Sequence, residues 1–123
     1  MLRIIDTNYA LRYLMQDDLE KVKEAYDIIS ESAYILPESI FEIIYVLQKG
    51  YNIPRKEVAR ALLDLLQDVD MFDKAFYEEA IKIYRDGKLD YVDCLFVARH
   101  KIFKDKIYTY DKKLNKQIIK ENK

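Results

Sequence analysis

At 123 residues, half apolar, 35% charged and with a net charge of −1, the chain has the size and balance of one globular domain spanning 1–123. No apolar run approaches the ~20 residues of a membrane helix, and the N-terminus carries no signal core. A lone cysteine excludes an internal disulfide, and these features together point to a reducing cytoplasm. The charge is uneven: from His100 onward, eight lysines stand against Asp105, Asp111 and Glu121. Such a basic end suits phosphates, or is simply a solvated helix face.

The apolar run at 2–5 predicts a first strand. Helices follow at 9–15 and 19–32, the second opening on Asp17 and Asp18, where carboxylates suit the helix dipole. A second strand at 33–36 ends at Pro37, a residue suited to the first turn of a helix. That helix covers 38–48 with an apolar face built on Ile40, Ile43, Ile44 and Leu47, and Gly50 stops it. Pro54 opens another, with Val58, Leu62, Leu65 and Leu66 on one side. A weak strand at 69–72 precedes a helix at 74–85, closed by Gly87. A helix at 90–103, a last strand at 106–110 and a basic helix from Lys112 complete the chain.

Strands separated by helices imply parallel pairing with right-handed crossovers. Strands that read as continuous apolar runs are covered on both faces. The expectation is an α/β fold, a three-layer α/β/α sandwich with a mainly parallel sheet of about four strands. Ligands in such sheets bind beyond the carboxyl ends of the strands.

Two strands end in the same way, in Asp6 and in Asp111. Each aspartate could cap the helix that follows, or both could face one mouth of the sheet. Asp90 and Asp93 lie three apart at the start of a helix and point to one side. Asp93 precedes an apolar stretch, where an unpaired carboxylate is costly. Glu42 sits in "PESIFEIIYVL", either on a solvent stripe or turned inward to a partner. Crowded carboxylates raise one another's pKa. A divalent cation relieves the crowding, and oxygen ligands select Mg²⁺ or Mn²⁺. Such a site suits metal-assisted phosphate chemistry. His100 and Cys94 fall within helical runs and read as structural, and there is no Gly-rich phosphate loop.

"IIDTN", "PESIFEIIYVL", "LDYVDCLFVARH" and "IYTYDKKL" resemble, in order and spacing, the PIN-domain family, and most of all its short single-domain toxins of the VapC type. The resemblance covers nearly the whole chain. It implies a Mg²⁺- or Mn²⁺-dependent endoribonuclease with Asp6, Glu42, Asp93 and Asp111 as catalytic, metal-holding residues. It assigns supporting roles to Asn8 and Thr109, and a less fixed one to Asp90. It further implies a homodimer, and a small antitoxin protein that blocks the acidic pocket. The implied sheet order is 3-2-1-4-5. Since the chain closes on "QIIKENK", a fifth strand is expected to be absent or vestigial, leaving 3-2-1-4. Cys94 stands where the family usually has alanine.

The resulting expectation is an RNA-hydrolysing toxin of a toxin–antitoxin pair. Lys112, Lys113 and Lys116, with Arg12, would hold the RNA backbone. The alternative is a module that keeps the fold and binds RNA or protein without turnover. A phosphatase or phospho-acceptor domain fits less well. Haloacid-dehalogenase-like enzymes need an aspartate where this chain has Asn8.

Overall fold

A computed structural model describes residues 1–122. Strand β1 (Ile4–Ile5) leads through Asp6 into helix α1 (Thr7–Met15), and α2 (Leu19–Glu31) begins on an Asp18 cap. Strand β2 (Tyr34–Ile35) is followed by α3 (Pro37–Tyr45), which continues into a π-helical turn at Val46–Gly50. Helices α4 (Arg55–Asp68), α5 (Lys74–Asp86), α6 (Tyr91–Phe103) and α7 (Lys112–Glu121) complete the fold. The predicted helices are all present, within a few residues at their ends.

The fold is α/β, mostly helical, around a small parallel sheet. β1 pairs with β2 in parallel, Ile4 opposite Tyr34 and Ile5 opposite Ile35. On the other side of β2, Tyr34 makes a single parallel bridge to Asp70. The spatial order of these three segments is therefore the 3-2-1 part of the expected sheet, with the third reduced to one bridge.

The described residues carry fewer ladder strands than the four expected, and the shortfall lies at two places. At 69–72 the ladder to β2 is a single bridge, in which the Asp70 N–H donates to the Ala33 carbonyl and the Asp70 carbonyl accepts the Ile35 N–H, both at 2.9 Å. The second place is 106–110, where local side-chain bonds take backbone groups that a ladder would use. At 106–110, the Thr109 hydroxyl accepts the Asp111 N–H at 3.0 Å and Asn115 donates to the Thr109 carbonyl at 3.0 Å. Residues 106–110 keep the alternation of a strand, with Ile107 and Thr109 half-buried and Tyr108 and Tyr110 exposed, but join no ladder among the described residues. Coverage of β1 is also one-sided: Ile5 is buried, whereas Ile4 is 53% exposed.

One apolar core joins β1, β2 and α1–α6, centred on Ile35, Ile40, Ile43, Leu62, Leu65 and Ile81. Each such buried aliphatic side chain contributes about 1.5–3 kcal/mol. A smaller cluster of Val97, Leu114 and Ile118 docks α7 onto α6.

Candidate active site

Asp6 leaves β1 in extended conformation and accepts the Tyr9 N–H at 3.0 Å through Oδ1. Asp111 does the same for α7, accepting the Leu114 N–H at 3.0 Å. Both are helix caps, and each cap bond occupies one carboxylate oxygen and leaves the other without a hydrogen bond among the described residues. Capping and ligand roles are thus compatible in one residue.

Asp90 takes the N-cap position of α6 but makes no capping bond with its side chain. Asp93, in the first turn of α6, is half-buried. Its carboxyl is pushed above the ordinary range, first by burial, then by the charges of Asp111 and Asp90. No hydrogen bond or ion pair reaches the Asp93 carboxylate among the described residues.

Glu42 stands exposed on α3 with no side-chain partner among the described residues. Asn8 and Arg12 border a hollow of about 220 Å³, and Arg12 is paired with Asp17 at 3.1 Å. The structure therefore brings Asp90 and Asp111 within electrostatic reach of Asp93. Among the described residues, no group of three or more acidic, histidine or cysteine side chains stands close enough to hold a metal ion jointly. The donors on offer are carboxylate oxygens in small number. That set fits Mg²⁺, which keeps several waters and takes one or two carboxylates.

The structure adds a residue that sequence reasoning missed. The Arg55 guanidinium lies 4.2 Å from the Tyr84 ring centre. It donates to the carbonyls of Tyr84 at 2.9 Å, Leu89 at 2.6 Å and Lys88 at 3.3 Å. These carbonyls end α5 and form the loop that delivers Asp90, so Arg55 fixes the approach to the acids. Nothing in the sequence marks it beyond its place after Pro54.

Cys94, beneath this loop, is fully buried, and burial pushes its thiol up to about 12. His100 hydrogen-bonds through Nδ1 to the Asp105 carbonyl and through Nε2 with the Asn122 side chain. Both residues are structural, as the sequence suggests. Lys113 and Lys116 line a groove of about 580 Å³ between α5, α6 and α7, and Lys82 and Lys88 share it. Those two lysines were not singled out by the sequence. The signal that could have found Lys82 is the shared helical face of Glu79, Lys82, Ile83 and Asp86; Lys88, in the loop after Gly87, carries no such signal.

Residues 3–118 match the family model described as PIN domain. A VapC ribonuclease of Aquifex aeolicus (strain VF5) is 28% identical over 102 residues, covering 76% of this chain and 75% of that protein. No solved structure matches.

Proposed function

This chain belongs to the PIN-domain family, and on that premise we propose that it is a divalent-metal-dependent endoribonuclease, the toxin of a toxin–antitoxin pair. One observation carries the reading: Asp93 is half-buried, has no hydrogen-bond donor among the described residues, and is crowded by Asp111 and Asp90. A carboxylate so placed is costly unless a cation or a proton joins it. The likeness to a VapC ribonuclease supports RNA as the substrate class.

Asp93 and Asp111 would hold Mg²⁺ or Mn²⁺ directly, with Asp6 and Glu42 as further ligands through the cation's waters, Glu42 being the candidate base that orients the attacking one. When bound, the cation acidifies a water and offsets charge on the phosphoryl group. In the net reaction, the water oxygen bonds to phosphorus and the bond to the 3′ oxygen breaks. A proton passes to that oxygen, leaving 5′-phosphate and 3′-hydroxyl ends. Asn8 and Thr109 orient the acids. Thr109 does so through its bond to the Asp111 N–H, and Asp90 adds negative charge beside Asp93. Arg12, Lys112, Lys113 and Lys116 would hold the phosphates of the RNA backbone. A small antitoxin would neutralise the enzyme by covering this mouth. A second copy of the chain would cover the exposed Phe41 and Tyr45, one turn apart on α3.

A second reading has its own supporting observation. Among the described residues, no three acidic side chains stand close enough to hold a metal ion jointly, an arrangement that suits a PIN-fold module that binds without turnover. RNA cleavage separates the two. With Mn²⁺, the wild type should cut single-stranded RNA, and Asp6→Asn and Asp93→Asn should each lose at least about 100-fold in rate, in line with loss of a metal ligand. Equal cutting by all three proteins would remove this site. No cutting by any, with RNA still bound, would favour the module.

A further inference from the structure

The groove between α5, α6 and α7 has a sign and a direction. The Lys101–Glu79 pair, at 2.6 Å, joins the end of α6 to the first half of α5, so these helices run antiparallel. The His100–Asn122 bond joins the ends of α6 and α7, so those two run roughly parallel. One end of the groove therefore lies at Leu89 and Lys113, adjoining Asp90 and Asp111. The other lies by Lys101 and Lys120. At about 1.5 Å per residue, α7 carries it over about 15 Å.

Three acids line this groove, and each is already engaged. Glu79 is held by Lys101, Asp86 accepts from Arg85 at 2.8 and 3.0 Å, and Glu121 accepts from the neutral Gln117 amide at 3.1 Å, so one negative charge stands against the groove's lysines. Five lining lysines remain without an ion pair among the described residues: Lys82, Lys88, Lys113, Lys116 and Lys120. Lys113, Lys116 and Lys120 share one face of α7 by their spacing. Like charges gathered on one groove favour a polyanion, whose counterions are released on binding. The lining holds no aromatic ring, so it offers no platform on which bases would stack.

We propose that this groove is a track for the phosphate backbone of single-stranded RNA, held without regard to sequence and leading to the acidic mouth. The proposal rests on the nuclease reading for its substrate. An acidic peptide carries the same sign of charge. RNA is the better occupant because the groove opens beside the acids proposed to cut it.

The test is binding of a fluorescein-labelled oligouridylate in EDTA, followed by anisotropy across a potassium chloride series. In Lys82→Ala/Lys120→Ala, Kd should rise several-fold. The slope of log K against log salt should be shallower by about 1.4, the loss of two single-strand phosphate contacts. Lys82→Arg/Lys120→Arg should restore both. Lys23→Ala/Lys49→Ala, away from the groove, should change neither. An oligocytidylate should give the same slope as the oligouridylate. Unchanged affinity and slope in the alanine double variant would overturn the track. So would an equal fall in the control pair, or polyglutamate competing as well as RNA at matched charge. If the alanine variant loses RNA binding but the wild type cuts nothing with Mn²⁺, the track stands and the nuclease reading fails. If the wild type cuts and the variant binds and cuts equally well, the track alone fails.

Discussion

Asp93 is the residue on which sequence and structure agree most closely. Its place before an apolar stretch marks it as a carboxylate needing a partner, and the structure leaves it half-buried beside two other acids. Because its folded pKa lies above its ordinary value of 3.8, the folded protein holds this proton more tightly than the unfolded chain does. Its contribution to stability is therefore lost as pH rises from the ordinary value through the raised one. In metal-free solution, Asp93→Asn should abolish that loss and raise Tm near neutrality by about one to a few degrees. Comparing thermal melts of the two proteins across acid and neutral pH isolates this residue from the others that titrate. A wild type as stable as the variant at every pH would show that Asp93 is not crowded. Asp6 and Asp111 were legible as caps or ligands, and their cap bonds show why sequence left both open: one oxygen serves each role. Glu42 was legible only through its resemblance to a family motif. Its exposed position on α3 gives it no partner that patterning could have revealed.

Between elements, the decisive contact is the one from α4 to the α5–α6 loop. A helix end leaves carbonyls unsatisfied, and Arg55 gathers those of Tyr84, Lys88 and Leu89 on one guanidinium. A lysine cannot spread over three carbonyls while lying against a ring. Arg55→Lys should therefore cost about 2–3 kcal/mol in urea unfolding. It should also weaken Mn²⁺-dependent stabilisation, because Asp90 and Asp93 follow directly on the loop. A stability loss with unchanged Mn²⁺ response would leave Arg55 a purely structural tie. The helices were readable from apolar spacing, prolines and glycines, because each buries one face. The strands were less so. Thr109 and Asn115 bond to backbone groups at 109–111, and an alternating pattern cannot announce that competition. The last strand was thus expected from an alternation that is real, although the ladder is not.

At the scale of the whole molecule, the charge asymmetry of the sequence becomes spatial. The lysines of the C-terminal quarter do not spread evenly around α7. Three of them face α5 across one groove, and the acids lie at its end. The family resemblance is borne out across residues 3–118, although the sheet is smaller than that resemblance implied. Its brevity bears on how the chain reaches its native state. The most extensive packing joins α4 to α5 and α5 to α6, neighbours along the chain, whereas β1 and β2 are about thirty residues apart. Closing a short loop costs less entropy than closing a long one. The α4–α6 unit should therefore form the folding nucleus, with the β1–β2 pairing arriving after the transition state. Leu65→Ala should slow refolding, and Ile5→Val should mainly speed unfolding, in stopped-flow chevrons. The reverse pattern would place the two-residue strands, not the helices, at the start of folding.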